Sequence, residues 1–344
     1  MSSDPLNAQT SDQAFENRLR PKRFEDFPGQ DQLCHNLRIY IEAARKRGEP
    51  LDHILFSGPP GLGKTTLAGI VASEMGVESH VTSGPALERP ADLAGLLSRL
   101  KEGNILFVDE IHRLSAVVEE YLYSAMEDWA IDIVIDAGMH ARSFHIAIPR
   151  FTLIGATTRD GLLTAPFRAR FGILERLDYY APEELTRIIK RSAEILKVGI
   201  APEGAAELAR RSRGTPRIAN RFLSRARDVA EVMGNGVIDV EIAGETLRML
   251  GVDENGLAEM DRRLLETLAR HDGGPVGLKT LAVTVGETED TLENVHEPFL
   301  IRQGYIVKTP AGRKLAPGGW SVLGAMPSRN GGMFERDERK DEGL

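Results

Sequence analysis

Glycine, lysine and threonine residues stand at fixed spacings between positions 58 and 66, in the stretch GPPGLGKTT. Gly58, Gly63, Lys64 and Thr65 fit the P-loop pattern G-x-x-x-x-G-K-[ST], in which backbone N–H groups surround phosphate oxygens. Glycine suits this role because it places no side chain between the backbone and the oxygens. Lys64 would add a positive charge near the β- and γ-phosphates, and the Thr65 hydroxyl could bind Mg²⁺. The stretch therefore predicts a nucleoside triphosphate site, and the alternative is a glycine-rich turn without a ligand.

A second motif, ILFVDE, follows about 40 residues later. An apolar run that ends in Asp109 predicts a buried strand whose carboxylate lies beside the P-loop, where it would orient the Mg²⁺ shell. Glu110 would then be the general base that polarises an attacking water. Acidic residues at strand ends are often only solvated, so this interpretation depends on the preceding P-loop. Together the two motifs favour a hydrolase over a protein that only binds a nucleotide.

The elements around these motifs alternate between short apolar segments and helical segments up to about residue 180. The segments HILFS, NILFVDE and FTLIGATT predict strands, and KTTLAGIVASEMG predicts a helix that ends at Gly76. Strands separated by helices indicate a parallel sheet with crossover helices. Alternating residues on both sides of Gly138 predict a hairpin over residues 131–148.

Beyond residue 181 the pattern becomes helical. Residues 182–253 predict a small all-helical unit, in which GTPRIANR begins a helix at Pro216. Residues 254–326 predict three short helices and a basic hairpin, the outline of a winged helix-turn-helix. The predicted fold class is α/β, with a P-loop parallel-sheet domain over residues 19–181, then the helical unit and a C-terminal winged-helix domain. The polar and charged segments 1–18 and 327–344 predict disordered tails.

Composition narrows the functional classes. The 344 residues are 42% hydrophobic and 27% charged, which is typical of a globular protein with a sizeable core. The single cysteine, Cys34, excludes an intramolecular disulfide or a cysteine-cluster zinc site and favours a reducing, cytoplasmic compartment. Neither a signal peptide nor a run of about 18 apolar residues is found, so no membrane association is expected. Because the formal net charge is −8, DNA binding would need a local basic surface.

Four motifs in sequence, GPPGLGKTTLA, LFVDEIHRL, GATTR and RARFG, resemble those of AAA+ ATPases. More narrowly, the chain resembles the RuvB family, the bacterial Holliday-junction branch-migration motors. The segment NRLRPKRFEDFPGQ, the hairpin, GTPRIANR and the winged helix extend this resemblance over nearly the whole ordered chain. The resemblance implies an ATP hydrolase that uses Mg²⁺ and acts in DNA recombination and repair.

The resemblance also implies roles for individual residues. Thr158 occupies a sensor position at a strand end, and Arg217 matches the sensor of the helical unit, which acts as a lid. Arg170 matches the arginine finger, which in the family acts on the nucleotide of the adjacent subunit, and Arg168 is its rival in sequence. The implied catalytic residues are Lys64, Asp109, Glu110, Thr158 and Arg170, and the implied Mg²⁺ ligands are Thr65 and Asp109. The implied nucleotide contacts are Leu19, Arg20, Gly61, Gly63, Lys64, Thr65, Thr66, Glu127, Asp128, Trp129, Arg170, Tyr180 and Arg217.

The same resemblance implies partners. These are a homo-hexameric ring, the duplex arms of a four-way DNA junction, the protein RuvA, and RuvC in a resolvase complex, all at the bacterial nucleoid during repair. In the family the hairpin engages RuvA, so the partner contacts are predicted at Ile131, Ile133, Ile146 and Ile148. An alternating apolar face is, however, usually buried against the core of its own chain.

Local charge bias supplies the candidate DNA contacts. Residues 299–314 contain four basic residues and no acidic one. In a wing, such residues can contact phosphates of the duplex backbone, and Lys308 and Arg313 are the predicted DNA-binding residues. The family usually has arginine at the positions of Lys308 and Ala311, so here the wing loses a bidentate fork and one charge. An ordinary solvated hairpin is the alternative.

Two other kinds of AAA+ protein are less consistent with the sequence. A clamp-loader subunit would use hydrolysis to release a partner, but clamp loaders usually carry Ser-Arg-Cys at the finger, whereas this chain has RARFG. A protein unfoldase would need an aromatic pore loop flanked by small residues, and residues 77–101 contain none that is convincing. The sequence therefore predicts an ATP-driven hexameric motor that translocates double-stranded DNA together with RuvA.

Overall fold

The computed structural model describes residues 16–134 and 143–324, which pack as two compact units. The first unit runs to Val198 and includes residues 214–223, and the second contains residues 199–213 and continues from Ser224. The helical unit predicted from the sequence is thus divided between them, and the three-domain division stays a prediction. The predicted tails lie outside the described residues, except that residues 16–19 form a helical turn, so the ordered chain begins before residue 19.

The first unit contains the P-loop and both halves of the hairpin. Its strands in the described residues are β1 (Ile54–Ser57), β2 (Ser79–Ser83), β3 (Ile105–Asp109), β4 (Ala130–Val134), β5 (Ser143–Ala147), β6 (Thr152–Thr157) and β7 (Ile173–Arg176). Its helices are α1 (Asp31–Arg47), α2 (Lys64–Met75), α3 (Pro90–Leu97), α4 (Ala116–Glu127), α5 (Ala165–Ala169) and α6 (Pro182–Leu196).

Five of these strands form a parallel sheet in the order β2-β3-β6-β1-β7. β6 is buried along its whole length and β3 along all but its last residue, as expected where helices cover both faces of a parallel sheet. The predicted α/β fold is therefore confirmed. The sequence did not predict β7, because its four residues alternate between buried and exposed over too short a span to show a period.

The strand ends bring the sequence motifs together. The P-loop follows β1, Glu110 follows β3 and Thr158 follows β6, and the carboxyl ends of these parallel strands meet at one edge of the sheet. α2 begins at Lys64, directly after the P-loop glycine Gly63, and ends at a left-handed Gly76, as predicted. The free N–H groups of its first turn are therefore available to an anion at this edge.

The predicted hairpin is present in the described residues. β4 and β5 pair in antiparallel register, with Ile131 opposite Ile146. Residues 135–142, which include the predicted turn at Gly138, lie outside the described part of the chain.

The second unit is mainly helical. Its helices in the described residues are α7 (Pro202–Arg211), α8 (Pro216–Met233, whose first eight residues belong to the first unit), α9 (Val240–Met249), α10 (Glu259–Arg270), α11 (Leu278–Val285), α12 (Glu289–Thr291), α13 (Glu297–Arg302) and α14 (Pro317–Val322). A π-helical turn, Leu292–His296, joins α12 to α13. Its strands are β8 (Gly199–Ile200), β9 (Val237–Ile238), β10 (Ile306–Thr309) and β11 (Gly312–Leu315).

The predicted winged helix lies within this unit. α10, α11 and the continuous segment α12–α13 precede the antiparallel hairpin β10–β11, and they enclose an apolar core that includes Leu265, Leu281, Leu300 and Trp320. β8 and β9 form a parallel pair that the helical pattern did not reveal, because two-residue strands have no readable period. Within residues 16–134 and 143–324, no helix is long and apolar enough to cross a membrane.

Candidate functional site

The P-loop adopts a backbone that only glycine accommodates easily. Gly61 has a φ of 77°, and a Cβ there would lie 2.8 Å from the Thr215 side chain. Gly63 has a φ of 104°, and a Cβ would meet the Phe27 ring at 3.2 Å. Both glycines therefore combine a left-handed backbone with close packing. Because they place no side chain in the loop, the backbone N–H groups line an open concave surface.

Lys64 is held inside this loop. The side chain is only 7% exposed, and Nζ donates to the carbonyl oxygens of Gly58 and Pro59, both at 2.8 Å. Burial lowers the pKa of Lys64 to about 8, and Arg217 adds to the effect while Asp109 opposes it. A bound phosphate would relieve this cost by supplying negative oxygens, so the lysine favours a polyanionic ligand.

Two carboxylates stand at the end of β3. Asp109 Oδ2 accepts a hydrogen bond of 3.4 Å from the Thr65 hydroxyl. Glu110 has a φ of 48°, and its carboxylate accepts a 3.0 Å bond from Nη1 of Arg113. Glu110 is exposed, so its carboxylate is accessible to a water molecule.

The donor set at this edge fits Mg²⁺. The described residues contain no group of three acidic, histidine or cysteine side chains that would hold a metal on their own. One hydroxyl and one carboxylate, Thr65 and Asp109, are what Mg²⁺ usually receives from a protein, because it keeps waters and phosphate oxygens as its other ligands. The pair is therefore suited to an ion that arrives with a nucleotide.

The end of β6 carries the predicted sensor. Thr158 is exposed, and the neighbouring Thr157 is 1% exposed with its hydroxyl 3.1 Å from His112 Nδ1. Burial lowers the pKa of His112, which favours the neutral ring. The Thr157 hydroxyl also accepts a 2.9 Å bond from the Arg159 backbone N–H. These bonds fix the backbone that presents Thr158.

A cavity of about 270 Å³ joins these groups. The residues predicted from the sequence that line it are Leu19, Arg20, Gly61, Gly63, Lys64, Thr65, Thr66, Asp109, Glu110, Thr158, Tyr180 and Arg217. Tyr180 is buried, and its hydroxyl donates to the carbonyl oxygen of Leu62 at 3.0 Å. Sequence reasoning missed further lining residues, among them Glu16, Phe27, Pro28, Ile188, Arg191 and Asn220. Helical spacing relates some of these residues: Ile188 and Arg191 lie three residues apart on α6, and Asn220 lies three residues after Arg217 on α8.

Arg217 already has an anionic partner in this cavity. Its Nε donates to Glu16 Oε1 at 3.1 Å and its Nη2 to Oε2 at 3.4 Å. The Arg217 backbone N–H lies 3.4 Å from the carbonyl oxygen of Gly61. Arg217 therefore stands at the P-loop in contact with a two-oxygen acceptor, and a phosphate group offers the same geometry.

The remaining predicted nucleotide residues lie outside the cavity. Arg170 Nη2 donates to the Tyr123 hydroxyl at 2.6 Å and also bonds to Glu127, and these bonds raise the pKa of Arg170. Asp128 is exposed at the end of α4, while the Trp129 ring meets the Phe151 ring edge to face at 5.8 Å. These residues do not contribute to the cavity of their own chain. Arg168 pairs with Asp160 at 3.7 Å, which is the surface salt bridge expected of the rival arginine.

The structure of the hairpin contradicts the expectation that its isoleucines form an exposed partner surface. Ile131 and Ile148 are 1% and 5% exposed and belong to the core of the first unit, and Ile146 packs partly against it. These three residues therefore do not form an exposed docking surface, because the alternation of the strands directs them toward the core of the first unit. The side chain of Ile133 lies outside the described side chains, whereas Phe144 is 48% exposed.

The structure of the wing contradicts the expectation that Arg313 contacts DNA. Arg313 is only 7% exposed, and its Nη2 donates to Glu297 at 3.0 Å and to Glu293 at 2.9 Å. Lys308, opposite Arg313 in the hairpin, is exposed and pairs with Glu293 at 2.7 Å. Arg313 is thus an internal ion-pair partner and not a surface contact for DNA, because two carboxylates from the preceding helical segment cover it. Lys314 is exposed.

Three family models match the chain in order. The Holliday junction DNA helicase RuvB P-loop domain matches residues 19–177, the RuvB AAA lid domain matches residues 180–253, and the RuvB C-terminal winged helix domain matches residues 254–324.

Individual relatives and a solved structure agree with these matches. The chain is 56% identical over 340 residues to the Holliday junction branch migration complex subunit RuvB of Prosthecochloris aestuarii, which covers 98% of this chain and 99% of that protein. It is 59% identical over 314 residues to the protein of the same name from Salinibacter ruber, covering 90% and 91%. The structure of the Thermotoga maritima RuvB Holliday junction branch migration motor matches with a TM-score of 0.81 and 46% identity, covering 89% of this chain and 98% of that chain. Since family models span residues 19–324 and relatives are more than half identical over nearly the full length, the chain belongs to the RuvB family of P-loop ATPases.

Proposed function

We propose that this protein hydrolyses ATP to move double-stranded DNA and so drives branch migration at Holliday junctions. The observation that carries the proposal is the convergence of Lys64, Asp109, Glu110 and Arg217 on one cavity in a chain that also contains a winged helix. Membership of the RuvB family supplies the class of substrate, a four-way DNA junction.

Each side chain of the cavity would have a separate role in ATP hydrolysis. Lys64 would exchange its two carbonyl acceptors for phosphate oxygens, and the N–H groups at the start of α2 would face the same anion. Bound Mg²⁺, held by Thr65 and Asp109, would neutralise charge on the phosphates. Glu110 would orient the attacking water and accept its proton; one of its carboxylate oxygens, Oε2, accepts a bond from Arg113 in this structure.

Arg217 would act as the sensor from the lid side. Glu16 occupies its guanidinium in this structure, so a nucleotide would have to compete with that carboxylate. The Arg217 guanidinium would release the Glu16 carboxylate when it binds the γ-phosphate. This exchange would let the lid respond to the bound nucleotide.

Arg170 would complete the site of a neighbouring subunit. It lies on the surface of its own chain and does not line that chain's cavity. Catalysis by this finger therefore requires an adjacent subunit, and we propose that the subunits form the homo-hexameric ring of the family. A ring whose sites lie at subunit boundaries can pass a cycle of hydrolysis from one subunit to the next.

The partners of the proposed motor are duplex DNA, RuvA and, in a resolvase complex, RuvC. We propose exposed residues of the wing, Lys308 and Lys314, as contacts for the phosphate backbone. The exposed Phe144 of the hairpin is a better candidate for RuvA contact than Ile131 and Ile148, which are buried. The place of action would be the bacterial cytoplasm, at the nucleoid.

The test is branch migration of a synthetic four-way junction with Mg²⁺ and ATP, with and without RuvA. Wild-type protein should separate the junction into two duplexes, and Lys64→Ala should not, because it loses nucleotide binding. Glu110→Gln is the matched control, since it should bind ATP and DNA yet fail to separate the strands. ATP turnover at full rate by isolated single chains, without any response to duplex DNA, would refute the proposal.

A further inference from the structure

Arg170 is held by a neighbouring helix of its own chain. Its guanidinium lies over the ring of Tyr123, with Cζ 4.6 Å from the ring centroid. Nη2 donates to the Tyr123 hydroxyl oxygen at 2.6 Å and also bonds to the Glu127 carboxylate. Tyr123 and Glu127 are four residues apart on α4, so they lie on one face of that helix. We call these two residues the finger clamp.

Both sides of this contact are anchored in the core. On α4, Leu122 and Met126 are 0% and 4% exposed, and the Tyr123 ring itself packs partly against the same apolar cluster. On the other side, Phe167 and Phe171 flank Arg170 and are 1% and 4% exposed, with their rings edge to face at 5.4 Å. The backbone on each side of the clamp is therefore fixed by packing, which gives the guanidinium a rigid support.

The clamp engages only part of the guanidinium. Within residues 16–134 and 143–324, both bonds use Nη2, and Nη1 and Nε have no protein acceptor. An arginine has five N–H donors, so three remain for an oxygen anion outside the chain. Aromatic stacking, a hydroxyl and a carboxylate together restrict the plane of the group, while its other nitrogens stay open.

We propose that Tyr123 and Glu127 are positioning residues for Arg170, holding its guanidinium in the orientation in which it meets the nucleotide of the neighbouring subunit. The inference rests on the proposed function of Arg170 in that neighbouring site. A long flexible side chain that is already oriented loses less conformational freedom when the transition state forms. Glu127 thus acts through the finger, which differs from the direct nucleotide contact expected from the sequence.

The test is a double-mutant cycle in the full-length chain. Tyr123→Phe and Tyr123→Leu are made alone and in an Arg170→Ala background, and ATP turnover is followed with duplex DNA by release of labelled phosphate. Equilibrium binding of a fluorescent ATP analogue is measured in parallel. Tyr121→Phe is the matched control, because it makes the same change on the same helix, and within the described part of the chain Tyr121 makes no bond to Arg170.

The clamp predicts a loss of kcat alone. Tyr123→Phe keeps the ring and loses the hydroxyl, so kcat should fall about threefold, and Tyr123→Leu should lower it about tenfold. KM and nucleotide affinity should stay at the wild-type level, because each chain's own cavity is unchanged. In the Arg170→Ala background, Tyr123→Leu should cause no further loss, since its partner is already absent.

Three results would overturn the inference in distinguishable ways. If Tyr123→Leu lowers turnover by the same factor with and without Arg170, the tyrosine acts independently of the finger. If both Tyr123 variants turn over at the wild-type rate while Arg170→Ala is slowed, Arg170 acts as the finger and Tyr123 does not position it. If Arg170→Ala itself is fully active, the proposed function of Arg170 fails as well.

Discussion

Replacing Arg313 by methionine should destabilise the winged helix, because Arg313 is an internal ion-pair partner and not a DNA contact. Glu297 is only 5% exposed and receives two bonds from Arg313. Methionine roughly keeps the length of the side chain but leaves the Glu297 carboxylate buried without its cation. Removing one partner of a buried ion pair typically costs about 3–5 kcal/mol.

That free energy can be measured as a shift in melting temperature. For a unit of this size, 1 kcal/mol lowers Tm by roughly 4 °C, so Arg313→Met should lower the transition of the second unit by on the order of 12–20 °C. Differential scanning calorimetry of the full chain resolves the transitions of separate units, and hydrogen exchange of the β10–β11 amides assigns the one that moves. A second replacement, Glu297→Gln, should recover part of the loss, because it removes the unpaired charge.

A matched variant separates folding from DNA contact. Lys308→Met breaks an exposed pair with Glu293, and exposed pairs contribute at most about 1 kcal/mol. It should leave Tm nearly unchanged and weaken duplex binding, with a shallower dependence of affinity on salt. The reasoning would be refuted if Arg313→Met melted like wild type and lost DNA affinity, because Arg313 would then be the surface contact expected from the sequence.

Three further predictions concern charged groups. Because the pKa of Lys64 is about 8 in the free protein and phosphate favours the protonated amine, the ATP dissociation constant should rise by up to about tenfold per pH unit above pH 8; the same titration of Lys64→Arg should be flat, since arginine stays charged. Glu110→Gln should bind ATP with near wild-type affinity and lose at least about 10²-fold in turnover, measured by phosphate release; normal turnover would exclude Glu110 as the base. Asp261 is fully buried, and although burial acts to raise its pKa, bonds from His296 and Arg213 hold it below its usual value, so its contribution to folding is present above pH 4 and is lost as the pH falls through the lowered pKa. Asp261→Asn should therefore cost about 3 kcal/mol at pH 7 in urea unfolding, and a difference from wild type that did not shrink in acid would contradict this.

Contiguous motifs were the part of the site that the sequence could predict. Lys64 and Thr65 follow the P-loop glycines directly, and Asp109 ends an apolar strand, so local pattern and the rule of parallel strand ends were enough to bring them together. The family resemblance, and not the local pattern, pointed to Thr158, which directly follows β6. The apolar and helical periods likewise predicted the P-loop sheet and the winged helix.

What the sequence could not predict is the partner that each charged side chain selects. Arg217 and its partner Glu16 are 201 residues apart in the sequence, and Arg170 and Tyr123 are 47 residues apart. No helical or strand periodicity relates residues at such separations. In the wing, the run of basic residues suggested a DNA surface, yet Glu293 and Glu297 lie just before that run and turn Arg313 inward. From the sequence, only the positive charge of a lysine or arginine on a strand is known. Its function depends on which carboxylates the tertiary fold brings within about 3 Å of it. The expectations that failed concern Arg313 and the hairpin residues Ile131, Ile146 and Ile148. Both assumed exposure, which is a property of the packed chain and not of the local sequence.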